Sequence, residues 1–479
     1  MTAVSFSRLL HKERFTFFRD KTNIAVLALF ALCLAVAAWN GARNASLAQA
    51  VTTAAQAADA NAFAAKVTLL RQINAGEAEP GRWNDPRKAH QGVLHSKRPL
   101  APWPAEMQFL SAEADPLTPT LIEVGMATRH TNPDPVFGDP SQRLDGPFDL
   151  IFVVVWLAPL IVILLSYDVL ARDRELGQAR ILASQNTSLR RIVLARLTVR
   201  FVSVVLVVSG VVFSTLVVAP GAGMASLAGG AVWFLGLLLF LGFWFALAAL
   251  VNARSRNAAA AGQTLLAVWA GLTLVLPLLI GVGAKLASPP IDRFETILEY
   301  RALSNELNHY RERIAREFFS AASVDASREE LGDEYSQYFV TVFYPMQLAF
   351  DDKYRAMGAS IERQRIKQTQ TLRIGAFVSP SLAMKLLSDD LAGGAPERRQ
   401  WFLHNVDVYQ DRWRTAFDQK LTEVLPMTIE DYETRPEFVS EPEPFWVRWI
   451  RIVSLLAALG LAAGLVTIVA WRALKQAAP

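Results

Sequence analysis

Apolar runs long enough to cross a bilayer alternate with polar segments along the whole chain. They are Ile24–Trp39, Phe148–Leu165, Phe201–Val218, Ala231–Val251, Leu265–Ala284 and Trp446–Trp471. A helix needs about 20 apolar residues to cross the hydrocarbon core. The first run is slightly short, but Thr22 and Asn23 extend it at the interface and Trp39 suits the far interface. Pro277 predicts a kink in the fifth run. The pattern therefore predicts a mainly α membrane protein with six transmembrane helices.

The polar segments differ in kind. Val4–Phe18 places Phe6, Leu9, Leu10, Phe17 and Phe18 on one helical side and Arg8, His11, Lys12 and Arg14 off it, which predicts an amphipathic helix in the headgroup layer. Ala42–Ile73 is Ala-rich with few breakers and reads as a long helix leaving the membrane. Beyond Gly76 a high density of Pro predicts an irregular lobe, packed on Trp83, Trp103, Phe109 and Phe137. After the fifth run, Phe294–Phe319, Asp351–Leu372 and Arg398–Leu421 read as helices. Ser379-Pro380-Ser381 and Gly393-Gly394 break the chain between them.

Charge sets the orientation. Lys12, Arg14, Arg19 and Lys21 precede the first run, Arg254 and Arg256 follow the fourth, and Arg472 and Lys475 follow the sixth. The segment Arg172–Arg200 carries Arg172, Arg174, Arg180, Arg190, Arg191, Arg196 and Arg200 against Asp173 and Glu175. Short basic segments stay on the cytoplasmic side, so both termini are expected there. The map is a cytoplasmic amphipathic helix at 1–21, spans at 22–40, 147–166, 198–219, 230–251, 264–284 and 446–471, a cytoplasmic loop at 167–197 and a cytoplasmic tail at 472–479. Large extracytoplasmic segments fill 41–146 and 285–445. The net charge of +4 flanks apolar runs instead of forming one patch, which favours membrane orientation over nucleic-acid binding. The single cysteine, Cys33, lies in the first run, so the outer segments fold without disulfides. No small-x-small cleavage site ends that run, which predicts an uncleaved anchor.

Recognisable catalytic chemistry is missing from the sequence. It contains no G-x-x-x-x-G-K-[ST], no G-x-S-x-G, no H-E-x-x-H and no C-x-x-C. No catalytic residue is expected and the chain is not expected to hydrolyse ATP itself. His90, His95 and His130 share the Pro-rich lobe, but their spacing fits no ligand pattern, so no metal site is expected. The spans read as essentially free of ionisable residues, which argues against an ion-coupled transporter. Asp145, Asp149 and Asp168 read as helix caps and interfacial charges.

The residues also carry a resemblance. The N-terminal helix with Arg8, Lys12, Glu13 and Arg14 resembles the elbow helix that opens ABC-2 type transporter permeases. The loop resembles that family's coupling segment: Arg172, Asp173, Arg174 and Glu175, then Gly177, a short helix Gln178–Ser184 containing Arg180 and Leu182, and Arg190–Arg196 leading into the third span. Ser379-Pro380-Ser381-Leu382, Leu391-Ala392-Gly393, Trp401-Phe402 and Tyr409-Gln410 resemble the second outer domain of a subfamily often annotated for multicopper-enzyme maturation. The resemblance implies an ABC-2, type V exporter-like permease with large insertions after helices 1 and 5, in the bacterial inner membrane. It implies ABC ATPase subunits as partners, with ATP and Mg bound there and no cofactor on this chain, and a second permease, identical or sibling. The function implied is the permease subunit of an ATP-driven exporter. The alternative is a mechanotransmission complex acting on a periplasmic or outer-membrane protein without moving cargo across the bilayer.

Overall fold

The computed structural model describes residues 6–81, 84–94, 97–111, 121–126, 129–130, 148–178, 188–218, 223–289, 293–321 and 338–476. Helix α1 (Phe6–Arg19) is followed at once by α2 (Lys21–Ala75), whose N-terminus is capped by the Asp20 carboxylate. Helix α2 is 55 residues long. At 1.5 Å per residue it runs roughly 80 Å, far beyond a bilayer of about 30 Å. Its first part is a span and its second part stands out from the membrane.

Five further helices are long and apolar enough to cross a membrane: α3 (Leu150–Glu175), α4 (Leu189–Val218), α5 (Met224–Arg254), α6 (Ala258–Ala287) and, at the end of the chain, α12 (Phe445–Gln476). With α2 they make six among the described residues, so the chain is a multi-pass helical membrane protein. Helix α5 is central and packs on α3, α4 and α12. Its most apolar stretch is 61% buried, against 11% for α6, which stands at the margin of the bundle. Helix α1 lies along α4, and Arg190 sits 6.0 Å from the Trp471 ring. Helix α1, the end of α12 and the described residues of the 167–197 loop therefore share one end of the bundle, here the terminal end; the opposite end is the domain end.

Beyond the domain end the two long segments make one body. The Pro-rich lobe is more regular than its Pro content suggests. It holds a three-stranded antiparallel sheet, β1 (Lys97–Leu100), β2 (Ile122–Gly125) and β3 (Arg129–His130), with Lys97 opposite Gly125 and Glu123 opposite His130. Pro99 is tolerated because it lies on an edge strand. The second segment supplies α7 (Arg293–Ala321), α8 (Tyr344–Ala376), α9 (Pro380–Ala392), α10 (Pro396–Thr422) and α11 (Ile429–Glu433). Val67 and Leu70 of α2, Val124 of β2, and Val406, Tyr409 and Trp413 of α10 share a single core. Gln410 donates to the Gly125 carbonyl, and Arg98 of β1 joins Asp59 of α2 to the Tyr409 hydroxyl. The lobe is thus clamped between the two segments.

Two aromatic expectations for that lobe are corrected. Trp103 is exposed, and Phe109 is buried in the core of the membrane bundle, not of the lobe. Its segment tucks under the domain end because the Met107 N–H bonds to the Leu391 carbonyl. Trp83 and Phe137 lie outside the described residues, as do His95 and Asp145. His90 is buried and stacked on Phe339. Asp149 caps α3 by accepting from the Phe152 N–H at 2.7 Å.

A larger correction concerns Ser379-Pro380-Ser381. Helix α8 descends antiparallel to α6: Gln368 bonds to the Ser288 carbonyl at the end of α6, a Cβ on Gly375 would come within 2.4 Å of the Ile280 side chain, and Ser379 bonds to the Leu272 carbonyl. Leu272 lies roughly 22 Å along α6 from its end at Ala287. The chain turns at this depth and α9 climbs back between α5, α6 and α12. Trp233 of α5 donates to Ser388 at 3.0 Å. The 285–445 segment therefore sends a helical hairpin into the bundle without crossing it. An apolar tip makes this possible: Ile374, Phe377 and Val378 are exposed, as lipid-facing residues are.

The spans are also not free of charge. Arg451 of α12 is only 6% exposed. It donates to both carboxylate oxygens of Asp390 at the end of α9, at 2.9 and 3.2 Å, and also pairs with Glu443. Arg448 of the same helix pairs with Glu106. A buried charge persists when it is paired and hydrogen-bonded, and the carboxylates that pair these arginines come from the two long segments at the domain end.

Candidate functional site

The candidate site lies at the terminal end, where α3 leaves the bundle. The sequence there is Ala171-Arg172-Asp173-Arg174-Glu175-Leu176-Gly177-Gln178. Gly177 has φ of 72°, the left-handed conformation that stops a helix at little steric cost for glycine. Four consecutive charged residues before it point in different directions around the last helical turn.

Asp173 points inward and is 8% exposed. Its carboxylate accepts from Arg196 of α4 at 2.5 Å. The same guanidinium donates to the Val169 carbonyl at 2.6 Å and to Glu13 of α1 at 3.4 Å. Arg196 therefore joins three elements. One turn further along α4, Arg200 donates to the Leu165 carbonyl at 2.6 Å and lies 5.7 Å from the ring of the buried Phe17 of α1. Charge-assisted bonds of this kind are about twice as strong as neutral ones.

Arg174 turns toward α5. One of its nitrogens donates to the carbonyls of Asn252, Ala253 and Ser255, at 3.2, 3.0 and 2.9 Å. These are carbonyls at the C-terminus of a helix, which lack intrahelical donors and sit at the negative end of its dipole. Glu175 does the converse job, accepting from the Ala258 N–H at the start of α6 at 3.3 Å. Asn257 caps the same helix through the Ala260 N–H. Asp173, Arg174 and Glu175 thus fasten one helical turn to α4, α5 and α6.

Asn252 is the fastening residue that sequence reasoning missed. It is fully buried. Its carbonyl oxygen accepts from the Leu170 and Ala171 N–H groups, and its amide donates to the Ser166 and Ala248 carbonyls, both at 2.9 Å. Both amide protons and the oxygen are used, so the end of α3 is held against α5 with no polar atom left over. The available signal was one amide between the apolar run Ala231–Val251 and Arg254.

What remains exposed is a small mixed patch: Arg172, Glu175, Leu176, Gly177 and Gln178. Arg172 pairs with Asp168 at 3.6 Å. Leu176 is 59% exposed. Of the residues expected to face a partner, Arg172, Glu175 and Gly177 are on the surface, while Asp173 and Arg174 serve the fold. Arg180 and Leu182, and most of the Gln178–Ser184 helix, lie outside the described residues. In α1, Arg8, Lys12 and Arg14 are exposed, and Glu13 is the inward-facing exception. Exposed Phe6, Phe15 and Phe18 interleave with those cations, the arrangement of a helix lying in a headgroup layer. Among the described residues the charged side chains of Asp173, Arg174 and Glu175 are committed to bonds between helices. The site can pass force among helices.

These features define a multi-pass helical membrane protein with a fastened helical turn at one end and a large domain at the other. Residues 293–440 match a family model described as a domain of unknown function, DUF3526. The match covers α7 to α11, including the hairpin that enters the bundle. No curated protein matches the chain.

Proposed function

We propose that the chain is the permease subunit of an ABC-2 type transport complex, driven by a separate ATPase that seats on the 167–197 loop. The observation that carries this reading is the fastening of Asp173, Arg174 and Glu175 to α4, α5 and α6, with Arg196 adding α1. A partner pressing on Arg172, Leu176 and Gln178 moves four helices as a unit. The terminal end is cytoplasmic in this reading, because its short segments are basic, and the membrane is the bacterial inner membrane. The energy comes from ATP and Mg held by the partner, and a second permease, identical or sibling, completes the complex as an exporter.

A second reading is favoured by one observation. Helix α2 runs unbroken from the bundle into the core of the outer body. Movement of the bundle is then delivered to that body, which acts on a periplasmic or outer-membrane protein with no cargo crossing.

Purification of the intact chain from native membranes tests the shared premise. An ATPase is expected to co-purify, and Leu176→Asp is expected to remove it while leaving the amount of inserted protein unchanged. Absence of any ATPase from the wild-type complex sinks both readings. Cargo moved into or out of reconstituted vesicles separates the first from the second.

A further inference from the structure

Residues 270–275 of α6 form a π-helical turn, in which the Leu276 N–H bonds to the Gly271 carbonyl five residues back. The next donor in that register is residue 277. It is proline, which has no N–H. The Leu272 carbonyl is therefore left without its backbone donor. In the ordinary four-residue register the same proline orphans the Thr273 carbonyl instead. Two arrangements of one span thus differ by a single residue, and π-turns of this sort recur at functional sites.

The turn between α8 and α9 reaches the carbonyl that the five-residue register opens. Ser379 Oγ donates to the Leu272 carbonyl at 3.2 Å, and accepts from the Leu382 N–H at 3.2 Å as the N-cap of α9. Ser381 Oγ meets Thr273 Oγ1 at 3.1 Å, with both side chains buried. An unmet backbone carbonyl at membrane depth costs several kcal/mol, so the register with a donor at Leu272 is favoured while the turn is in place.

We propose that the α8–α9 turn is a latch on the kink of α6. Ser379 and Ser381 select the five-residue register. Lifting the hairpin, whose other end is built into the outer body, frees α6 to shift to the four-residue register and change its bend. The outer body and a span then share a two-state element, which is the physical requirement for coupling. The inference is independent of the ATP-driven reading.

Hydrogen exchange of the full-length protein in lipid nanodiscs, read on α6 peptides covering 270–282, tests it. Ser379→Ala is expected to accelerate their exchange roughly tenfold, the effect of about 1.4 kcal/mol from one unsatisfied acceptor. Pro277→Ala supplies the missing N–H, so Ser379→Ala in that background is expected to change the same peptides by less than about twofold. Ser381→Ala, which leaves the cap of α9 intact, is expected to accelerate them by a smaller factor. Equal acceleration by Ser379→Ala in both backgrounds, or none in the wild-type background together with none for Ser381→Ala, overturns the latch.

Discussion

Two arginine-centred networks hold opposite ends of this molecule, and they differ in how they are closed. At the domain end, Arg451 is 6% exposed and grips Asp390 with two parallel bonds. Glu443 completes its shell, and Arg448 and Glu106 form a second pair beside it. At the terminal end, Arg196 spreads one guanidinium over Asp173, the Val169 carbonyl and, at 3.4 Å, Glu13. Beside it Arg172, Leu176 and Gln178 are exposed among the described residues. The closed network fixes α9 to α12. The open one holds the shape of a helical turn whose outward side chains stay exposed. The lesson is that the number of charges matters less than whether each partner is committed to one geometry.

The comparison can be broken most directly at Arg451. Arg451→Met leaves Glu443 without its bonded arginine and Asp390 with the longer contact to Arg448 at 3.8 Å, and is expected to cost about 3–5 kcal/mol. Thermal unfolding in nanodiscs measures it. Partial recovery in the double variant Arg451→Met with Asp390→Asn is expected, since the stranded charge and not the lost bond carries most of the penalty. A loss no larger than that of Arg196→Met shows that the two networks are closed to the same degree.

Arg196→Met is expected to cost less, on the order of 1–3 kcal/mol, because its carboxylate partners are nearer water. Its distinguishing sign is local: faster proteolysis and exchange of α1, which loses its link through Glu13, with the domain end unchanged. Uniform destabilisation of both ends would argue against separate networks.

The smallest expected effect is a pH dependence confined to the body beyond the domain end. Burial raises the Asp85 pKa, but hydrogen bonds and charge from Arg87 outweigh it and hold the group below its usual range. Burial likewise raises Asp431, and its bonds with Thr428 and Lys420 outweigh that. Groups with lowered folded pKa add stability above their unfolded values, and this is lost as pH falls through the lowered values. That body is therefore expected to loosen below about pH 4, seen by tryptophan fluorescence, while helical circular dichroism from the spans persists. Earlier loss of the span signal contradicts this assignment.

Much of the fold was legible in the alternation of apolar and polar runs. The helical candidates Asp351–Leu372 and Arg398–Leu421 correspond to the longer α8 and α10, whose ends sequence could not fix because Pro345 and Pro396 sit within their first turns. The Arg172–Gly177 segment was legible as a site, but the roles of its side chains were not. Alternating signs along four residues look alike in sequence, and only the packing of α4, α5 and α6 assigns Asp173 and Arg174 inward and Arg172 outward. Asn252 was passed over because one amide at the end of an apolar run resembles any interfacial residue. Arg448 and Arg451 were passed over because their partners, Glu106 and Asp390, are hundreds and tens of residues away.

By itself the sequence determined six apolar helices of spanning length and the break in the hydrogen-bond ladder at Pro277. Hydrophobic length and a missing N–H are local properties, and the cost of exposed backbone in lipid enforces them whatever surrounds them. Tertiary structure alone decided that Ser379-Pro380-Ser381 lies at membrane depth. Nothing in that tripeptide distinguishes a turn in water from a turn in a bundle. The difference comes from the carbonyl at Leu272, opened by a proline more than a hundred residues earlier in the chain and met only once α8 has folded down beside α6.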